Sequence, residues 1–226
     1  MISQQQYYDL FIARTSCLVM DLSETDHQCG WIGGNAPAYF DDKQSMVNDA
    51  DAKYYFYLAL VSPINNRMIS VFIPAWERYF KASIYPNCAI KVFEHEVSPE
   101  SQYNHYEMFH EEPAVKKTEY EREFDYSKPV IKKTFLSNAR LISTPNDEET
   151  DHFIQVGGEP NWVQGAYHYL ENLERDGYQY FFSADEFGYL DDTIHGNVPF
   201  DFGAVYFYAK INKDTVSDVI AGFWQE

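Results

Sequence analysis

Gly30-Trp-Ile-Gly-Gly-Asn-Ala-Pro-Ala-Tyr-Phe40 and Ile154-Gln-Val-Gly-Gly-Glu-Pro-Asn-Trp-Val-Gln164 share one pattern. They hold the only Gly-Gly pairs in the sequence. A β-branched residue precedes each pair (Ile32, Val156), and a proline (Pro37, Pro160) and then an aromatic (Tyr39, Trp162) follow it. An aromatic run begins the same distance beyond each pair, Tyr54-Tyr-Phe-Tyr-Leu58 and Tyr178-Gln-Tyr-Phe-Phe182. The repetition predicts an internal duplication, with Gly33, Gly34, Gly157 and Gly158 in equivalent tight turns. Two glycines permit positive φ and close backbone approach, the proline sets the exit, and the aromatic covers the turn. No Lys-Ser/Thr follows either pair, so a phosphate cradle is not indicated.

The expected fold is α+β: two similar tandem halves built on antiparallel sheets with flanking helices, packed as one globule. Residues 1–90 form the first half, 91–129 an acidic connection and 130–226 the second half. Tyr54–Val61 is apolar on both faces, as a doubly covered central strand requires. Met68–Ile73, Tyr178–Ala184 and Ala204–Ile211 also read as strands. Helical spacing of Tyr7, Leu10, Phe11 and Arg14 predicts a helix over 3–14. Pro74–Phe80 fits a helical turn with proline first, and Ala166–Arg175 a helix stopped by Gly177. A last helix is expected after Asp214 or Thr215, with Val216, Val219, Ile220 and Phe223 on one face. The connection, interrupted by Pro99 and Pro113, reads as part strand and part loop, and Thr144–Asp151 as an acidic turn.

A chain of 226 residues buries roughly 70% of its unfolded surface and needs no disulfide or metal staple. Aromatics at 18% favour sheet. Cys17, Cys29 and Cys88 are odd in number and widely spaced, as free thiols are. The opening residues lack a basic and an apolar signal region, and no apolar stretch approaches the ~20 residues that span a bilayer. A soluble, cytoplasmic protein is expected. Its 35 acidic against 17 basic residues give a net charge of −18, which repels nucleic acid and anionic membrane surfaces and attracts a basic partner.

Phe153-Ile-Gln-Val-Gly-Gly-Glu-Pro-Asn-Trp-Val-Gln164, with Tyr180–Asp185 and Phe202-Gly-Ala-Val-Tyr-Phe-Tyr208 after it, resembles the signature of the YwqG-like family, a bacterial domain of unknown function. Trp31–Pro37 is similar to that family's earlier Gly-Gly element. The resemblance covers mainly residues 153–211 and implies an α+β fold of two similar halves. Many members carry a cysteine-bearing loop where this chain has Tyr167–Arg175, and no cysteine follows Cys88. Metal binding inferred from such members is therefore not carried over.

The residues themselves point to no catalytic centre. Glu94-His-Glu96 on a strand puts both carboxylates on one face and the imidazole on the other, which reads as a solvated edge. His105 and His110 stand five apart, whereas a helical metal pair wants four. No Gly-x-Ser-x-Gly elbow is present. Asp185-Glu186 and Asp191-Asp192 match no calcium loop and read as a charged hairpin. No metal and no cofactor are expected.

YwqG-like proteins are often encoded beside toxin and immunity genes, so the resemblance implies a cytosolic immunity protein that binds and neutralises a basic secreted bacterial toxin. The contact residues would be acidic loops: Glu94, Glu96, Asp185, Glu186, Asp191, Asp192 and Asp201, with Tyr189 beside them. A general interaction or structural module and an uncharacterised enzyme stay open as alternatives.

Overall fold

A computed structural model describes residues 2–50, 52–74, 82–106, 130–143, 152–195 and 198–226. Pro74–Phe80 (beyond Pro74), His110 and the acidic turn Thr144–Asp151 lie outside these residues. The chain opens with α1 (Gln4–Phe11), then β1 (Ser16–Met20), β2 (Leu22–Ser23), β3 (Gly30–Ile32), α2 (Gln44–Val47), β4 (Tyr54–Val61), β5 (Met68–Pro74) and β6 (Lys91–His95). It continues with β7 (Val130–Ile131), β8 (Thr134–Leu136), β9 (Arg140–Ser143), β10 (Ile154–Val156), α3 (Tyr167–Arg175), β11 (Gln179–Asp185), β12 (Ile194–His195), β13 (Ala204–Ile211) and β14 (Val216–Gln225).

Sheet dominates. One six-stranded sheet runs β9-β1-β10-β11-β13-β14 and the other β2-β8-β3-β4-β5-β6, while β7 and β12 form a separate pair. Every neighbouring pair is antiparallel.

The two orders correspond strand for strand. Gly30 faces Leu60 and Trp31 faces Ala59; Ile154 faces Ala184 and Gln155 faces Ser183, at one constant displacement along the chain. The register of β4 on β5 slips at Tyr57, between Phe56 and Leu58. That of β11 on β13 slips at Phe181, between Tyr180 and Phe182. Each bulged residue's carbonyl accepts the first glycine's N–H: Gly33 to Tyr57 at 3.2 Å, Gly157 to Phe181 at 2.8 Å. All four glycines of the pairs have φ between 61° and 71°, a region that costs an L-residue about 1–2 kcal/mol. A bulge turns two successive side chains to one side of the sheet, so Tyr57 with Leu58, and Phe181 with Phe182, all join the core cluster shared by both sheets.

The correspondence extends to an exchange. β1 lies beside β10, within the sheet of residues 140–225. β8 lies beside β3, within the sheet of residues 22–95. Segments 1–90 and 130–226 are therefore interlaced rather than set side by side, and the segment from 91 begins as the edge strand β6. At its N-terminus the chain is anchored by a capping box, Ser3 with Gln6. Tyr7 donates its hydroxyl to the Asn212 carbonyl at 2.8 Å.

The expected last helix is a strand, β14, paired along its length with β13. Two register slips on this ladder, with Asp218 at φ 55°, break the two-residue alternation. Val216, Val219 and Phe223 thereby mimic a helical face while burying in a strand. Further clusters occupy the faces away from the shared core. One joins Trp31, Phe56 and Phe72 to Ala36, Phe40 and Val47; the other joins Tyr206, Tyr208 and Phe223 to Leu173 of α3 and Trp162.

Candidate partner-binding site

Between β4 and β5 the chain needs only residues 62–67, but between the corresponding β11 and β13 it uses 186–203. This longer loop is held from inside. Asp185 accepts the Phe187 N–H at 3.0 Å and caps a 3-10 turn over Glu186–Gly188. Glu186, 2% exposed, accepts the Phe200 N–H at 2.8 Å through one oxygen and the Phe202 N–H at 2.9 Å through the other. Its own N–H donates to the Gly203 carbonyl, and Tyr189 OH approaches its carboxylate and shares a 3.0 Å hydrogen bond with Tyr57 OH. Burial pushes the Glu186 carboxyl up to about 8, while the Phe200 and Phe202 N–H groups pull the other way. Burial, then the nearby Glu186, raises Tyr57 well above the usual phenol range.

Asp185, Glu186 and Tyr189 were expected to face a partner. Their polar groups turn inward instead, because backbone N–H groups of the same loop need acceptors once buried. They brace the loop. What the loop shows outward is Phe187 at 60% exposure, Phe202 at 61% and Leu190, with Asp191, Asp192 and Asp201 exposed. Asp192, Asp201 and Phe202 all have φ near 60°. A left-handed phenylalanine is strained, and such strain persists only where the surroundings impose it.

Glu94 and Glu96 belong to the other sheet's edge strand and the residue after it. Arg67 binds both, Nε to Glu94 at 3.0 Å and Nη1 to Glu96 at 2.6 Å. The expected acidic set is thus divided among an inward brace, an outward loop and a strand edge whose two carboxylates share Arg67. The outward apolar residues were missed from the sequence. Their one signal was the unequal spacing between corresponding strands.

Arrangements that resemble catalytic pairs are closed. His95 is buried rather than on a solvated edge; it stacks on Tyr39 with ring centroids 4.2 Å apart. Its Nδ1 lies 2.8 Å from the Glu96 carbonyl, which can only accept, so Nδ1 carries the proton and Nε2 accepts from Ser70 Oγ at 2.8 Å. Ser70 has no exposed surface and no route for a substrate. His152 Nδ1 meets Asp21 at 2.6 Å. Burial raises the Cys17 and Cys88 thiols to about 11, which removes thiolate character at neutral pH. Among the described residues no three His, Cys, Asp or Glu side chains converge, and no helix is long and apolar enough to cross a membrane. No family model, no curated protein and no solved structure matches this chain.

Proposed function

We propose that the chain is a binding protein whose 186–203 loop engages a basic protein partner, and that it serves as a cytoplasmic immunity protein neutralising a secreted toxin. The YwqG-like resemblance of residues 153–211 supports this identity of the partner. The matched strand orders, registers and bulges support a duplicated unit with exchanged first strands. That reading supplies an internal control: what both halves share is what the fold needs, and what one half adds is free for other work.

The longer, internally braced loop carries the proposal. It adds exposed apolar residues and exposed carboxylates where the first half needs only a short turn. Preorganised loops on a sheet lose little entropy on binding. Phe187 and Phe202 supply the desolvated anchors, and Asp191, Asp192 and Asp201 the polar rim. The overall charge of −18 accelerates encounter with a cationic partner.

The test is association kinetics with a basic toxin domain as partner. Asp191→Lys with Asp192→Lys should slow association about tenfold at low salt, while Phe187→Ala should chiefly speed dissociation. Association unchanged by the reversals and flat from low to high salt would reject the acidic-loop mechanism.

A further inference from the structure

A cavity of about 410 Å³ opens on the other sheet, where Trp31 of β3 and Phe135 of β8 meet Asp26, Glu100 and Lys133. Its size is that of a side-chain or small-ligand pocket. Trp31, Phe135, Val61 and Met68 give it an aromatic and aliphatic lining. The polar groups are fixed: Glu100 Oε1 accepts the Asn35 N–H at 2.9 Å and Oε2 pairs with Lys133. The Lys133 ammonium lies 4.8 Å from the Phe135 ring centroid and 5.7 Å from that of Trp31. The pocket therefore already holds one cation over aromatic faces.

Its charge is incomplete. Two carboxylates, Asp26 and Glu100, line it against one ammonium, Lys133. Asp26 is exposed, accepts the Gln28 N–H at 2.7 Å and has no basic partner among the described residues. The fold does not demand this opening. At the register of Trp31 the first sheet has Gln155, whose amide donates to the Gly157 and Glu159 carbonyls and closes on its own backbone.

We propose that this cavity receives an arginine side chain presented by a protein partner. The apolar walls accommodate the methylene stem, while the Trp31 and Phe135 rings keep the Lys133 ammonium and leave the carboxylates to the planar guanidinium. Asp26, with the remaining lone pairs of Glu100, accepts its N–H donors. One added positive charge neutralises the lining, and the acidic chain draws cations towards it. The site lies on the sheet opposite the braced loop, and its test needs no toxin.

N-acetyl-L-arginine amide titrated into the full chain should saturably shift the Trp31 indole N–H and the Met68 methyl resonances. The neutral citrulline analogue should not. Asp26→Asn and Glu100→Gln should each weaken binding about fivefold, with the Trp162 indole resonance unmoved as a check on the fold. No saturable shift, equal binding of the citrulline analogue, or indifference to both substitutions would overturn the site. Tighter binding of free L-arginine than of the capped form would overturn the commitment to a protein-borne side chain.

Discussion

Replacing Glu186 by Gln separates the charge of this buried carboxyl from its shape. Each Glu186 oxygen accepts one backbone N–H, from Phe200 and from Phe202. A glutamine keeps one carbonyl oxygen and turns an amide N–H₂ towards the second donor. That loss costs about 1–3 kcal/mol, as for one unsatisfied buried group. The ionisable group adds a pH dependence that glutamine lacks. Its folded value, about 8, lies above its ordinary 4.5. The neutral form's stabilisation is therefore complete below pH 4.5 and is lost as the pH rises towards 8. At about 1.4 kcal/mol per pH unit, the native protein should lose about 4 kcal/mol between pH 5 and pH 8 through this group alone. Urea unfolding of both proteins at the two pH values gives a double difference in which every other titrating group cancels. Glu186→Gln should be the less stable at pH 5 and should gain on the native protein, by several kcal/mol, at pH 8. A difference independent of pH would refute the account of a desolvated carboxyl bracing the loop.

Gly33→Ala forces an L-residue to φ 61° and places its Cβ 2.4 Å from the Ile131 carbonyl oxygen. It should cost about 2–5 kcal/mol. Gly157→Ala meets the Leu10 Cβ at 2.9 Å and the Leu10 carbonyl oxygen at 3.0 Å, which no rotamer change moves away, and should cost about 2–5 kcal/mol in the same urea assay. Ser70→Ala leaves the buried His95 Nε2 without its donor and should cost about 1–3 kcal/mol. Burial holds His95 below its ordinary 6.5, so the stability it contributes is full above pH 6.5 and falls as the pH drops towards the folded value. Unfolding of the native protein and of His95→Gln, compared at pH 7.5 and 5.5, reads that loss directly.

Tyr54–Val61, Met68–Ile73 and Ala204–Ile211 are legible as strands because their apolar character persists through both faces, which sheets covered on two sides require. The short strands are another matter. β2 and β8 contain too few residues to show a period, and their places depend on partners more than a hundred positions away. The apolar spacing of β14 imitates a helix because bulges at a left-handed aspartate and beside Gly222 shift its phase. At the candidate site, Asp191, Asp192 and Asp201 are exposed as their chemistry suggests. Asp185 and Glu186 differ because their acceptors' partners are backbone N–H groups, which carry no side-chain signature. Trp31 and Phe135 meet only through the exchanged strand β8, so no local pattern could announce their cavity.

The exchange of β1 and β8 also dictates an order of assembly on the ribosome. β3 through β6 are synthesised before β8 exists, so β3 waits with a bare hydrogen-bonding edge and β2 has nothing to pair with. β1, made first of all strands, must hold itself apart until β9 and then β10 emerge. Neither sheet can close until well over half the chain has left the exit tunnel. The two segments made as separate polypeptides should each remain incomplete and recover native structure only on mixing, and independent folding of either one would show the interlacing to be dispensable. Until closure the nascent protein carries unpaired strand edges, the feature that most invites association with the wrong neighbour.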